Sequence, residues 1–223
     1  MATFLQLVND LERESGTIYK AQRLSTVIDA PGRQEKMVAW VREAWHIIQT
    51  SRSDWPWLVK EFSASLVAGQ ARYTALELGI ANFAGWPRKS GDFTIYDPVV
   101  GQQEEIELRA MRYDAWRARW DRGVHDASRP TEYAVDNDRK LCVGAKPDKI
   151  YTVRGSYRRT SQILTVDSDV PICPEDFHNI IVWRAMMLMG GHDEALVVVA
   201  QAQANYARLF RDLVDDMGEE VSL

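Results

Sequence analysis

Cysteine and histidine are scarce in this sequence, with two of the first and four of the second among 223 residues. Cys142 and Cys173 lie far apart, with no CxxC and no histidine at metal-site spacing from either. A disulfide scaffold is excluded by number and a zinc site by spacing, which leaves two ordinary buried thiols of a reducing compartment. Long apolar runs are also missing. The longest, Ile180 to Met189, is interrupted by Arg184 and is about half of the ~20 residues that a membrane span requires. The opening stretch MATFLQLVNDLERESG carries acids early, unlike an export signal with its basic and then apolar blocks. Glycines occur singly or as Gly190 and Gly191, never as GxGxxG or as a Walker loop, so no phosphate cradle is expected. Excess positive charge is absent too. At a net charge of −5 no overall field draws the chain onto nucleic acid or an anionic membrane, and any DNA contact must be local.

What is present is the composition of an ordered globular chain, 46% hydrophobic and 26% charged, with eight Trp and eight Tyr. Its length suits one full core, or one core with a small satellite lobe. A first helix is expected from an N-cap at Thr3 to Gly16, with Leu5, Val8 and Leu11 or Phe4, Leu7, Val8 and Leu11 on one face. A second opens near Pro31 and runs to about Thr50. Its stripe of Met37, Val41, Ala44, Trp45 and Ile48, widened by Trp40 and Ile47, implies contacts on more than one side. Ser53 reads as the cap of a short turn holding Trp55, Pro56 and Trp57.

From Glu61 to about Val100, β-formers among Gly69, Gly79, Gly85, Pro87, Gly91 and Pro98 are strand and turn chemistry. A third helix is expected from about Gln102 to Asp121, because Glu104, Glu105 and Glu107 precede Arg117, Arg119 and Arg122 in the order that the helix dipole favours. Short strands follow at Pro130–Val135, Lys140–Val143 and Ile150–Tyr157, the first two joined by a turn at Asp136, Asn137 and Asp138. Two helices close the chain, Pro174 to about Met189 and, after a break at Gly190 and Gly191, Asp193 to about Met217. In the last, Leu196, Ala200, Ala204, Ala207, Phe210 and Val214 make a continuous apolar stripe. The expected fold is α+β: a mainly helical bundle from the N- and C-terminal helices with an inserted antiparallel β-rich lobe. As one domain over residues 1–223, its helical base takes 1–60, 102–122 and 174–217, and the β-rich insertion about 61–100 and 130–165.

Catalytic chemistry finds little footing. His46 has Glu43 one turn before it and His178 follows Asp176 by two residues, but no nucleophile stands with either pair. Both are expected to be ordinary half-buried or surface histidines. His192, Asp193 and Glu194 read as a helix cap and first turn rather than metal ligands. Asp136 with Asp138, and Asp167 with Asp169, read as turns, since neither run continues into an EF-hand loop. No catalytic, cofactor or metal residue is assigned.

The densest cluster is Arg109, Arg112, Tyr113, Trp116, Arg117, Arg119, Trp120 and Arg122, with the three rings at helical spacing on one face. Three readings fit it: a nucleic-acid contact by arginines and stacking rings, an amphipathic helix that buries its rings and pairs its arginines with acids, and a subunit interface, where Trp, Tyr and Arg are favoured. A second basic run, Arg154, Tyr157, Arg158 and Arg159, ends a strand on which Arg158 and Arg159 face different sides.

Six segments in register carry a resemblance: FLQLVNDLERESG from Phe4, MVAWVREAWHIIQTSRSDWPWL from Met37, ELRAMRYDAWRARW from Glu107, KPDKIYTVRGSYRRTSQIL from Lys146, PEDFHNIIVWRAMMLMGG from Pro174 and the closing AQANYARLFRDLV helix. Together the chain resembles the head-to-tail adaptor, or connector, proteins of tailed bacteriophages, none of the segments being a catalytic signature. The resemblance implies a structural virion protein at the head–tail junction, assembled in the host cytoplasm, and neither an enzyme nor a membrane protein. It further implies a homo-oligomeric ring of about twelve copies that binds the portal protein, extends the DNA channel and docks tail or nozzle proteins, with DNA passing through unread. The candidate subunit or portal interface is then Trp40, Trp45, Tyr113, Trp116, Trp120, Trp183, Arg208, Phe210 and Arg211. The candidate channel or DNA-proximal residues are Arg117, Arg119, Arg122, Arg158 and Arg159. The stretch from Ala207 to Leu223 is a candidate portal contact, although Asp212, Asp215, Asp216, Glu219 and Glu220 would need a basic partner. The rival reading is a nucleic-acid-binding accessory protein that uses the Arg/Trp-rich helix 107–122.

Overall fold

The computed structural model describes residues 1–16, 23–87 and 93–218. Gly91, Glu219 and Glu220, used in the sequence reading, lie outside the described residues. The chain forms two compact units, one from residues 1–57 with 161–223 and the other a single continuous run, 58–160.

The first unit is helical: α1 (Phe4–Ser15), α2 (Arg33–Thr50), α4 (Asn179–His192) and α5 (Leu196–Gly218). α1 begins where the sequence indicates. The Thr3 hydroxyl accepts from the Gln6 N–H while the Gln6 side chain accepts from the Thr3 N–H, a reciprocal cap. The α1 N–H groups of Phe4 and Leu5 are taken by the carbonyls of Asp169 and Asp167, and Gly16 closes the helix in the left-handed conformation. α4 packs against α1, α2 and α5, which explains why Ile180, Ile181, Ala185 and Met186 are all buried.

Gly190 and Gly191 do not break the chain. α4 runs through them to His192, and the turn falls at Asp193–Ala195. Gly190 is instead a point of close approach, because a Cβ there would meet Val199 Cγ2 of α5 at 2.8 Å. The apolar stripe expected on α5 faces outward over its first part, while its Phe210 and Val214 are half-buried. Leu196, Ala200, Ala204 and Ala207 are exposed, and the helix buries Ala202 and Leu213 instead. Two apolar faces share this helix, which packs on α4.

The second unit is built on two sheets. One is ordered β1-β9-β4-β5, from Val59–Leu66, Tyr151–Arg159, Thr94–Tyr96 and Ile106–Glu107, with β3 (Phe83–Gly85) also on β9. The other is β2-β8-β7-β6, from Arg72–Tyr73, Leu141–Gly144, Glu132–Val135 and Arg109–Ala110. All pairs are antiparallel except β6 with β7, which is parallel. Leu66, Phe93, Ile95, Leu108, Tyr133, Leu141, Val143, Tyr151 and Val153 fill its core.

The expected helix over 102–121 is mostly not one. Gln102–Glu104 is a single 3-10 turn, β5 and β6 follow, and the helix begins only at Tyr113. Ile106 pairs with Ile95, and the Leu108 N–H reaches the Phe93 carbonyl at 2.8 Å. The period-two apolar alternation of Ile106, Leu108 and Ala110 therefore prevails over the charge order that mimicked a helix dipole. The segment belongs to the β-rich unit rather than the helical one. In class the fold is α+β.

Candidate functional site

β7 and β8 each have two faces. Tyr133, Leu141 and Val143 point into the core of the second unit, while Glu132, Ala134, Cys142 and Gly144 line the opposite face. That second face is small by composition, and on it lies the short helix α3 (Tyr113–Trp116) with the π turn Arg117–Asp121 that continues it. Trp116 is 1% exposed against Ala134 and Cys142. Trp120 covers Gly144 so closely that a Cβ on that residue would fall inside the indole. The packing requires glycine here, since any side chain would displace the ring.

Glu132 is the polar centre of this site. Its side chain is 5% exposed; it accepts from the Trp120 indole at 2.9 Å and from the Arg119 guanidinium at 3.1 Å, and pairs with Arg109. Burial, the largest single influence, pushes its carboxyl upward. The Trp120 hydrogen bond and the two guanidiniums together outweigh it and hold the group below the ordinary glutamate value. Beside it, Arg72 lies over the Trp116 ring at 5.3 Å and pairs with Asp121 at 2.9 Å, and Arg119 lies over Trp120 at 5.2 Å. Tyr113 stacks on Trp116 with Arg117 over it, and Arg117 reaches Asp121 at 3.8 Å. The rings are turned inward and most of the arginines are neutralised inside the unit. Arg122 is exposed, with no carboxylate partner among the described residues.

The remaining sequence candidates scatter. Arg158 and Arg159 are half-buried successive residues of β9, opposite Val59 and Phe83 respectively, so they form no common patch. Trp45 is 1% exposed and donates to Gln162 Oε1 at 3.2 Å, so Trp45, like Trp116, has no free surface to offer a partner. Half-buried Trp40 packs on His192 and under Arg33, and Trp183 is half-buried. Phe210 meets Trp55 edge-on at 5.9 Å and stacks on Tyr206, whereas Arg208 and Arg211 are exposed.

His178 is more enclosed than expected. At 3% exposure, its Nδ1 accepts from the Ala2 N–H at 3.2 Å and its Nε2 donates to the Cys173 carbonyl; burial first of all pushes its pKa down. Asp193 caps the C-terminal end of α4 rather than opening α5, its N–H donating to the Met189 carbonyl at 2.9 Å. It pairs with Arg33 and accepts from His192, and the Arg33 guanidinium chiefly draws its carboxyl down to about 2. The Asp136 and Asp169 turns are as expected: Asp136 Oδ1 accepts from the Asp138 and Lys140 N–H groups, and Asp169 Oδ2 from those of Thr165 and Val166.

No group of three or more His, Cys, Asp or Glu is placed to hold a metal ion among the described residues. An open groove of about 270 Å³ on the first sheet is lined by Glu61, Phe62, Thr94, Glu105, Arg154, Gly155 and Ser156. Within it Glu105 faces Arg154 at 3.5 Å and is bonded by the Thr94 hydroxyl.

The family model described as SU10 adaptor protein matches residues 2–222. The chain belongs to the SU10 adaptor family. This membership agrees with the resemblance to phage head-to-tail adaptors and points to the structural role of an adaptor. No curated protein matches the chain. Among the described residues no helix is long and apolar enough to cross a membrane. Sequence reasoning missed Glu132, the organising residue of the Arg/Trp cluster. Its one signal was a carboxylate inside an otherwise apolar strand, EYAV.

Proposed function

We propose that this adaptor assembles as a ring of about twelve copies beneath a portal, extends the channel through which DNA passes and offers a docking surface to tail or nozzle proteins. In this reading the helices form a bundle-like base and the β-rich unit is a lobe inserted in it. The observation that carries the proposal is the family match over residues 2–222. The Arg/Trp cluster supports it from the opposite side. A nucleic-acid-binding helix would present its rings for stacking and its guanidiniums to phosphates. Here Trp116 is buried, while Arg109, Arg119 and Trp120 answer one internal carboxylate.

The surfaces left for partners are exposed Arg208 and Arg211 on α5, the outward parts of Trp40 and Trp183, and Arg122 for passing phosphates. Electron microscopy of the protein mixed with its portal tests the reading. A ring of density below the portal is expected, and bare portals at saturating adaptor would overturn it. A gel shift at low and moderate salt separates the rival: tight DNA binding by the free protein that falls steeply with salt would favour the nucleic-acid reading.

A further inference from the structure

Soluble chains seldom expose several large aliphatic side chains together, and this chain does so in more than one place among the described residues, two of which answer each other. The first is at one end of the β1-β9-β4 sheet. Leu66 pairs with Tyr151 and Tyr96 with Thr152, so Val67, Ile150 and the Pro98–Val100 turn all leave the sheet at the same end. Val67 is 55% exposed, Val99 92% and Ile150 58%. This tip is held in place. The Tyr73 hydroxyl accepts from the Val67 N–H at 3.0 Å, Gly69 donates to the Pro147 carbonyl at 2.7 Å, and Asp97 pairs with Lys149 while accepting from the Val99 N–H at 2.8 Å. A tip fixed before it meets a partner loses little conformational freedom on docking.

The second group opens α5, where Leu196 is 81% and Val197 82% exposed, with Ala200 and Ala204 next along the same exposed face. Each group has at its rim an exposed charge without a side-chain partner among the described residues, and the two are of opposite sign: Lys146 beside the tip, where neighbouring Asp148 is bonded by the Tyr151 hydroxyl at 2.9 Å, and Glu194 beside the helix. The tip carries no aromatic ring to stack a base and no cluster of cations for a phosphate backbone or a lipid surface. Its complement is another neutral, aliphatic protein surface with an acid at its edge.

We infer that the two groups are the two halves of one contact between copies of this chain: the Val67, Val99 and Ile150 tip of one copy seats on Leu196 and Val197 of the next, with Lys146 facing Glu194. A head-to-tail contact requires two different patches on each chain, and this pair supplies them. The inference rests on the ring reading above.

The test uses Ile150→Cys and Val197→Cys, made separately; the native Cys142 and Cys173 are 0% and 6% exposed and stay out of the reaction. Each variant alone, and the two mixed, are assembled on the portal and mildly oxidised. A disulfide-linked dimer is expected only from the mixture, with mass spectrometry giving a 150–197 link. Dimers from either variant alone would show like patches meeting, and would overturn the inference. So would a mixture without cross-links on portals where microscopy shows a complete ring. If no ring forms at all, the ring reading itself fails, and the inference with it. Reversal of the rim pair supplies a second readout: Lys146→Glu or Glu194→Lys alone should weaken ring assembly about two- to fivefold, and the double reversal should restore it. No loss in the single reversals would remove the rim pair from the contact.

Discussion

The helical unit and the β-rich unit solve the same problem in different ways: each must bury a tryptophan together with polar groups. In the helical unit Trp45 lies under neutral amides. Gln49 and Gln162 answer each other, Gln49 Oε1 accepting from the Gln162 N–H at 2.7 Å and Gln49 Nε2 donating to the Gln162 carbonyl at 2.9 Å, while Gln162 Oε1 takes the Trp45 indole. In the β-rich unit the matching position is charged, with Glu132 gathering two guanidiniums and an indole. The amide pair is indifferent to acid and salt, whereas the carboxylate holds its partners only while ionised. A Trp/Arg-rich sequence can therefore mark an internal clamp as readily as a contact surface.

The largest way to break the comparison is to remove the rings. Trp45→Ala and Trp116→Ala should each cost about 3–5 kcal/mol, read by urea denaturation, because each deletes a fully buried side chain that the surroundings cannot refill. A cost under about 1 kcal/mol for either would mean that its pocket collapses or was not closed. Gly144→Ala should cost about 1–3 kcal/mol by displacing Trp120 from its seat, and should shift the tryptophan fluorescence. The polar centres sharpen the contrast further. Gln49→Ala and Glu132→Gln should each cost about 1–3 kcal/mol, but only the Glu132→Gln loss should shrink as pH falls.

The pH dependence has a definite sign. Glu132, Asp97 and Asp193 have folded values below their ordinary ones, so their stabilisation is full above the unfolded carboxylate range and fades as pH falls through the folded values. His178 acts in the same direction at milder acidity. Its folded value lies below the ordinary one of about 6.5, so the unfolded chain takes up the proton first and stability declines as pH drops below that point. Thermal melts across pH should show this early step, and His178→Gln should abolish it while leaving the later carboxylate step. The smallest effect concerns the thiols. Burial pushes Cys142 and Cys173 up to about 12, so labelling by iodoacetamide at pH 8 should be slow until denaturant is added.

Much of the scaffold was legible because local chemistry and tertiary packing agree there. Thr3 and Gly16 bracket α1, the α2 stripe is buried, and the Asp136 turn joins β7 to β8 as its residue types imply. The misreadings occur where two patterns share one segment. Residues 102–112 carry both a dipole-like charge order and an alternation of Ile106 and Leu108, and only the strand partners Ile95 and Phe93, distant in sequence, decide between them. α5 has two apolar faces, and nothing local shows which one α4 covers. The role of Glu132 was missed for a related reason, its one signal being a carboxylate in an apolar strand. Its role depends on the register that sets Glu132 opposite Gly144, and on Trp120 reaching back to both.

The path of the chain into and out of the β-rich unit has a practical corollary. That unit is one uninterrupted run, and its first and last long strands are partners, with Val59 opposite Arg158. The unit thus begins and ends on neighbouring strands about 5 Å apart, a gap that a tight hairpin turn spans. Residues 58–160 are therefore the stretch whose length can change with the least displacement of the ends it joins.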